Sequence, residues 1–123
     1  MLSDLSEYRW QNRLVLLFAP HVDNTQYQQQ YQLLHDDQSG LDERDLLIFS
    51  VLPNRVIEDG DLATVEQATK LRKHYRVSDA AFLIVLIGKD GSEKMRSDKV
   101  VPREELYALI DAMPMRRREM NRD

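Results

Sequence analysis

Cysteine is absent from all 123 residues of the chain, and several kinds of chemistry are absent with it. Disulfide bonds, thiolate nucleophiles, zinc–thiolate sites and iron–sulfur clusters all require cysteine sulfur. Thiol redox activity is therefore excluded. The redox compartment stays open, because oxidising and reducing environments both tolerate a cysteine-free protein.

A surplus of basic charge and a long apolar run are missing as well. The 17 Lys and Arg residues are outnumbered by 21 Asp and Glu, which gives a net charge of -4. Because phosphate contacts need clustered Lys and Arg, we expect no nucleic acid partner. The longest apolar run, residues 80–87, is far shorter than the ~20 residues of a bilayer-spanning helix, so we expect no membrane span.

Targeting and nucleotide-binding patterns are also missing. The start of the chain, MLSDLSEYRW, has neither the basic start nor the apolar core of a secretory signal. As written, the chain is expected in the cytoplasm; it is expected in the periplasm or outside the cell if an upstream signal peptide was removed. Only four glycines occur, and no Walker loop, dinucleotide fingerprint or Ser-His-Asp arrangement is present, so we predict no cofactor.

The residues that are present fit an ordinary soluble domain. Hydrophobic residues make up 42% of the chain and charged residues 31%, which is normal for a globular protein. The length suits one hydrophobic core. We therefore predict a single domain over residues 1–123 with a short basic tail at 114–123, folding alone or as a small oligomer such as a homodimer.

Three apolar runs predict buried strands of the kind found inside parallel or mixed sheets. They cover residues 14–18, 46–52 and 82–87, and prolines follow the first two. An Asp-Gly pair after the third predicts an antiparallel hairpin over 82–97. Residues 54–61 are interpreted as a loop with a short extra strand at Val56 and Ile57.

Three amphipathic segments predict helices. Asp23 and Gln26 have capping-box spacing and begin a first helix that ends before Gly40. A second is expected over 62–75, and a third begins at Pro102 and ends at Pro114. Their apolar faces are Tyr27, Tyr31 and Leu34, then Val65, Ala68, Leu71 and Tyr75, then Leu106, Leu109, Ile110 and Met113.

The elements follow the order β-α-β-α-β-β-α, without repeats or a linker. Two strand-helix-strand units imply right-handed crossovers within one sheet, and the last hairpin adds an antiparallel edge. We predict an α/β fold, a thioredoxin-like sandwich with a mixed central sheet of four or five strands flanked by helices.

Three segments also carry a family likeness: LVLLFAP at 14–20, VLIGKDG at 85–91 and, most specifically, LIDAMPMRRREM at 109–120. Through them the chain resembles a bacterial thioredoxin-like family of unknown function. That family is related to the DUDES domains of some animal sushi-repeat and extracellular matrix proteins. The resemblance runs from about Leu5 to Met120 and implies a thioredoxin or peroxiredoxin shape without an assigned role, often in exported proteins.

Two departures from thioredoxins accompany the resemblance. The thioredoxin cysteine pair follows the first core strand, where this chain has Ala19-Pro20-His21-Val22-Asp23. The thioredoxin cis-proline precedes the third core strand, near Phe82, yet no proline lies between Pro53 and Pro102. Neither the thiols nor the substrate-clamping backbone is therefore expected.

Pro20, His21 and Asp23 form a candidate functional loop, because open α/β sheets generally bind ligands beyond the carboxyl ends of their strands. A His two residues from a carboxylate can act as a general base or as half of a metal site. The simpler interpretation is that Asp23 caps the helix and His21 is a solvated loop residue. We assign no catalytic residue.

Two acidic groups carry residue types that can hold a hard cation, but neither has the alternating ligand spacing of a calcium loop. We interpret them as a solvated helix end and a polar loop, and predict no metal site. The groups are His35, Asp36 and Asp37, and Glu58, Asp59 and Asp61.

Arg116, Arg117 and Arg118 form a candidate docking tail together with Arg122. Such a tail can bind an acidic protein, a nucleic acid or anionic lipid. The alternative is that these arginines pair with acidic residues of the domain itself or of a neighbouring subunit.

Two classes of function follow. The preferred one is a non-catalytic module that binds an unidentified protein or peptide near residues 19–23. The alternative is an enzyme that uses non-thiol chemistry at His21 and Asp23, which requires a pocket and a third converging group.

Overall fold

The structure is a computed structural model that describes residues 5–53, 55–58, 61–63 and 65–121, with only the backbone path described at 55–58, 61–63, 65 and 66. A short 3-10 helix, Ser6–Tyr8, comes first. The strands are β1 Arg13–Phe18, β2 Leu46–Leu52, β3 Arg55–Glu58, β4 Asp61–Ala63, β5 Leu83–Ile87 and β6 Glu93–Ser97. The helices are α1 Thr25–His35, α2 Gln38–Glu43, α3 Val65–Tyr75, α4 Arg103–Asp111 and α5 Pro114–Met120.

All the described strands join one mixed sheet in the order β4-β3-β2-β1-β5-β6. β1 lies in the middle, parallel to β2 on one side and antiparallel to β5 on the other. The predicted hairpin is confirmed, because β5 and β6 pair antiparallel. The extra strand expected at Val56 and Ile57 is also present as β3. β3 and β4 bring the sheet to six strands, above the four or five predicted.

The prediction of two parallel crossovers is half wrong. β1, α1 and β2 form a parallel unit, but β5 runs antiparallel to β1. β3 is antiparallel to β2 and β4 is antiparallel to β3, so β4 runs in the same direction as β2. The change of direction therefore falls between β4 and β5, in the connection that contains α3. A sequence of alternating strands and helices does not reveal the direction in which the strand after a helix enters the sheet.

Alternate residues of the central strands face two separate cores. On one face Val15 and Leu17 pack with residues of α1, α2 and α4, including Leu34, Leu41 and Leu106. On the other face Leu14, Leu16 and Phe18 pack with Ala68 and Leu71 of α3 and with Tyr8. The sheet therefore lies between two layers, which explains why β1 is buried along its whole length.

The start of α1 and the end of α4 differ from their predicted positions. Asn24, not Asp23, caps α1, since the Asn24 side chain accepts a hydrogen bond from the Tyr27 N–H at 2.9 Å. α1 ends at His35, before Gly40 as predicted, and Gly40 lies inside a further helix that was not predicted, α2, which Asp37 caps through the Gly40 N–H. α4 ends at Asp111, and Pro114 begins α5 at a position where its missing N–H costs no hydrogen bond.

Candidate functional site

The loop formed by residues 19–24 leaves the carboxyl end of β1 beside the end of the parallel strand β2. The edge where parallel strands end is the usual ligand-binding edge of an open α/β sheet. The predicted residues Pro20, His21 and Asp23 all lie on this loop. The sequence therefore identified the place in the fold where a site is most expected.

Hydrogen bonds fix the backbone of this loop. The Ala19 N–H donates to the Val51 carbonyl at 3.3 Å, and the Asn24 N–H donates to the His21 carbonyl at 3.1 Å. The Gln28 side chain donates to the Val22 carbonyl at 3.1 Å, which ties the loop to the first turns of α1. The loop thus presents its side chains from an ordered main chain.

The side chains of the loop do not converge. His21, Val22 and Asp23 are exposed, while Pro20 is half-buried. Within the described part of the chain, no side-chain hydrogen bond links His21 to Asp23, and neither side chain bonds to a third group. The arrangement is an exposed surface with one apolar side chain, Val22, between an imidazole and a carboxylate.

Arg72 supports the same edge from beneath and was not identified from the sequence. Its side chain is only 4% exposed. The guanidinium donates to the carbonyls of Ala19 at 2.6 Å and Val51 at 3.1 Å, which joins the ends of β1 and β2. Burial lowers the pKa of Arg72, and the Asp79 carboxylate acts in the opposite direction. The dense basic run KLRKHYR at 70–76 was the signal that could have drawn attention to it.

The first acidic group does not form a metal site in the structure. His35 stacks on the ring of Tyr31 at 4.0 Å, and Asp36 accepts a hydrogen bond from Gln32. Asp37 caps α2 and accepts from the hydroxyl of Tyr107 at 3.2 Å; burial and this carboxylate raise the pKa of Tyr107 to about 12. Among the described residues, no group of three or more His, Asp or Glu is placed to hold a metal ion.

The second acidic group lies outside what the structure describes, because Asp59 is not described and only the backbone of Glu58 and Asp61 is. The last arginine of the tail, Arg122, also lies outside the described residues.

The C-terminal arginines lie on α5 and face different surroundings. Arg116 is buried and donates to Asp111 at 2.9 Å and to the Glu43 carbonyl at 3.1 Å. Arg117 and Arg118 are exposed. One of the three candidate docking residues therefore packs inside the domain, and two are available at the surface.

Glu119 joins α5 to the amino-terminal end of the central strand. It accepts two hydrogen bonds from the guanidinium of Arg13, at 3.1 and 3.2 Å, and one from Lys89 at 2.8 Å. Arg13 is only 1% exposed. Although burial raises the pKa of Glu119, the hydrogen bonds from Arg13 and Lys89 outweigh it and lower that pKa below its usual range.

A cavity of about 310 Å³ lies at the opposite end of β1 from the loop. Residues of the 3-10 helix, the start of β1, α3 and the end of β5 line it. The sequence alone does not indicate this cavity, because its lining comes from three stretches that are far apart in the chain, 5–14, 70–75 and 87–91.

None of the helices that the structure describes has both the length and the apolar character needed to cross a bilayer.

Comparison with solved structures identifies the fold. The structure matches the reduced 2-Cys peroxiredoxin of Plasmodium vivax with a TM-score of 0.67, over 93% of this chain and 84% of that one. The two sequences are only 16% identical, so the match shows the fold alone. The predicted fold class is confirmed: the protein is a thioredoxin-like α/β sandwich with a mixed sheet.

Comparison with characterised sequences shows that the chain is similar to parts of larger animal proteins. The chain is 29% identical to coiled-coil domain-containing protein 80 of Danio rerio over 138 residues, which is 94% of this chain and 15% of that protein. It is 30% identical to the human sushi repeat-containing protein SRPX over 120 residues, which is 94% of this chain and 26% of that protein. The chain therefore spans about a quarter or less of these relatives.

A family match covers nearly the whole chain. Residues 4–119 match the family described as a domain of unknown function, DUF4174. With the thioredoxin-like fold, this agrees with the resemblance to a thioredoxin-like family of unknown function. The chain belongs to the DUF4174 family.

Proposed function

We propose that this domain is a non-catalytic module that binds a protein or peptide, with residues 19–24 at the centre of its contact surface. The observation that supports this proposal most directly is that His21, Val22 and Asp23 are exposed on a main chain that hydrogen bonds hold in place. Binding to an ordered loop costs less conformational entropy than binding to a mobile one. The surface offers a partner one apolar contact flanked by two polar groups.

The alternative, an enzyme that uses His21 and Asp23, has weaker support. A general base needs a positioned proton donor and a site that restricts water. Both side chains are exposed, and within the described residues no hydrogen bond orients the imidazole. The P. vivax neighbour is named for two cysteines, and this chain has none, so thiol chemistry does not transfer with the fold.

The proposal also places the chain in a bacterial branch related to the DUDES domains. The segment LIDAMPMRRREM, which carries the likeness to that family, supports the assignment, and the matches to animal sushi repeat-containing proteins support the relation to the DUDES domains. Locating the gene in a bacterial genome, together with a sequence search started from the DUDES domains of animal proteins, tests both parts. A gene found only in animals contradicts the bacterial assignment.

The binding surface is tested by selecting peptides that bind the 123-residue chain from a displayed random library. Bound peptides are then located by amide chemical-shift changes in the NMR spectrum. We expect the largest changes at residues 19–24. Changes confined to other surfaces contradict the proposal, and so does the recovery of no peptide with submillimolar affinity.

Two matched substitutions sharpen this test. Val22 and Leu109 are 40% and 42% exposed, on the loop and on α4 respectively. Val22→Ser is expected to weaken peptide binding by about fivefold or more, since a central apolar contact carries more binding energy than the surrounding surface. Leu109→Ser is expected to leave affinity unchanged. An equal loss in both variants contradicts a loop-centred surface.

A third variant separates the loop from the candidate docking residues on α5. Arg117→Ala with Arg118→Ala removes two exposed charges and leaves the buried contacts of Arg116 in place. We expect no change in affinity for peptides that bind the loop. If this variant abolishes binding while Val22→Ser does not, the contact surface lies on α5.

A further inference from the structure

The cavity at the amino-terminal end of β1 has an apolar floor. Leu14 from β1, Leu71 from α3 and Ile87 from β5 are buried and line it, and the rings of Tyr8 and Tyr75 line it as well. Small-molecule sites in proteins are typically concave and mostly apolar, with volumes of roughly 300–1,000 Å³. At about 310 Å³ the cavity reaches the lower part of that range.

The polar side of the cavity carries basic side chains. Arg9, Lys70 and His74 line it, and over the residues that the structure describes its lining contains no Asp or Glu. This is unexpected in a chain whose net charge is -4. Lys70 also makes a further contact within the domain. Positive groups beside an apolar floor favour a ligand that is itself apolar at one end and anionic at the other.

The position of Arg9 depends on a glycine. A Cβ atom on Gly91 would lie 2.8 Å from Nε of Arg9, and Gly91 has a φ of +86°, which other residues rarely adopt. The absence of a side chain at Gly91 therefore lets the guanidinium lie against the β5–β6 turn at the edge of the cavity. The next residue, Trp10, is held by a hydrogen bond from its N–H to the Lys89 carbonyl at 2.6 Å.

We infer that this cavity binds a small organic carboxylate with an apolar body, such as an aromatic acid. The apolar part lies against Leu14, Leu71 and Ile87, and the carboxylate faces Arg9 and Lys70. This site is at the other end of β1 from residues 19–24, so it is independent of the proposed binding surface. Nothing in the inference requires a reaction; it concerns recognition.

The test uses 2-naphthoate and its neutral counterpart, 2-naphthamide, with the complete 123-residue chain. NMR titration measures both affinity and the location of binding. We expect saturable binding of the acid, with shifts at residues of the 3-10 helix, α3 and the β5–β6 turn, and about tenfold weaker binding of the amide. No saturation by the acid at several millimolar overturns the inference, as does equal affinity for the amide.

A matched pair of variants tests the role of charge. Lys70 lines the cavity, whereas Lys73 lies on the same helix, is exposed and is not part of the lining. Lys70→Gln and Arg9→Gln are each expected to weaken the binding of 2-naphthoate by about fivefold to tenfold. Lys73→Gln is expected to leave the affinity for 2-naphthoate unchanged. Thermal unfolding of each variant confirms that it is folded. Equal weakening by Lys73→Gln, or shifts located at residues 19–24, overturns the inference.

Discussion

At the scale of single residues, Arg72 is the most constrained polar group near the loop. Its guanidinium donates to the carbonyls of Ala19 and Val51 and also to the carbonyl of Ser78 at 2.8 Å. Each buried acceptor that loses its donor costs about 1–3 kcal/mol. Arg72 therefore stabilises the edge of the sheet on which the proposed binding surface depends.

We predict that Arg72→Met lowers the free energy of unfolding by about 2 kcal/mol or more, because the Ala19 carbonyl loses its donor and the Val51 and Ser78 carbonyls each lose one of two donors. Urea unfolding followed by circular dichroism measures the change. Lys73→Met, at the next position of α3 and exposed, is the control and should change stability by less than about 0.5 kcal/mol. If Arg72→Met is as stable as this control, the guanidinium does not hold the strand ends together.

Glu119 is the second residue whose removal should be costly. Glu119→Gln removes a charge that pairs with Arg13 and Lys89 while keeping nearly the same shape. Since Arg13 then keeps a buried charge without its carboxylate, we expect a loss of about 3 kcal/mol in stability. Denaturant unfolding measures it. Glu104→Gln is the control, because Glu104 lies on α4 and is exposed. If Glu104→Gln lowers the stability as much as Glu119→Gln does, the ion pair of Glu119 with Arg13 does not have the stabilising role proposed for it.

At the scale of elements, α5 changes the interpretation of the basic tail. A helix of seven residues is not stable by itself in water. Its contacts through Arg116 and Glu119 attach it to α2, α4, β1 and the β5–β6 turn. The pattern RRRE thus combines two inward residues with two outward arginines, a division that the helical period permits.

We predict that a chain ending at Met113 is unfolded or strongly destabilised, because it loses both inward-facing ion-pair groups of α5, the buried Arg116 and the half-buried Glu119. The near-ultraviolet circular dichroism and the unfolding midpoint measure this. The chain carrying Arg117→Ala and Arg118→Ala is the control and should keep wild-type stability, since both side chains are exposed. A truncated chain as stable as the control would show that α5 is dispensable for folding.

Helix α1 also shows which buried residues a pattern of apolar residues does not predict. The apolar face of α1 was predicted as Tyr27, Tyr31 and Leu34, but Tyr31 is exposed and Gln30 is fully buried. Gln30 exchanges two hydrogen bonds with the main chain of Val101, at 2.7 and 2.9 Å. A buried amide paired with a distant backbone group depends on tertiary contacts, so no periodicity of apolar residues predicts it.

At the scale of the whole molecule, several carboxylates link stability to pH. The Ser92 N–H and the Lys94 side chain lower the pKa of Asp90 to about 2. Hydrogen bonds from Arg96 lower the pKa of Glu93. Burial raises the pKa of Asp111, but Arg44 and Arg116 outweigh it, and its pKa is lowered, as is that of Glu119. All four groups hold protons less tightly in the folded chain.

We predict that stability is fully present above the unfolded carboxyl pKa values of about 4 and falls as the pH drops from there toward 2. Stability falls toward low pH because, in this range, the unfolded chain binds more protons than the folded chain does. Urea unfolding at intervals from pH 7 to pH 2 measures the dependence. Glu119→Gln should show a shallower acid loss than wild type, and an identical slope would mean that Glu119 does not contribute.

The central architecture was accessible from sequence because it depends on local patterns. The runs at 14–18, 46–52 and 82–87 coincide with β1, β2 and β5 within one residue at each end. The direction of β5 and the presence of α2 were not accessible. The direction of β5 depends on its pairing with β1, which is a long-range contact, and α2 depends on the Asp37 cap, a segment too short to form a pattern.

The candidate loop was located for the same reason, since its position follows from the end of β1. The chemistry of the loop could not be predicted from the sequence, because burial and hydrogen bonding at His21 and Asp23 depend on residues far along the chain. Arg72 was missed because a basic residue on a helix normally faces solvent. The cavity was missed because only folding brings Arg9, Leu14, Lys70 and Ile87 together.

The Arg13–Glu119 pair joins two residues that are 106 positions apart in the chain. The start of β1 and the end of α5 therefore lie side by side, and the bidentate pair holds the two elements together. A domain whose first strand and last helix meet in this way can be inserted into a surface loop of a host protein without separating the two sides of that loop. The matches of this chain cover only short portions of much longer animal proteins, 15% of one and 26% of another.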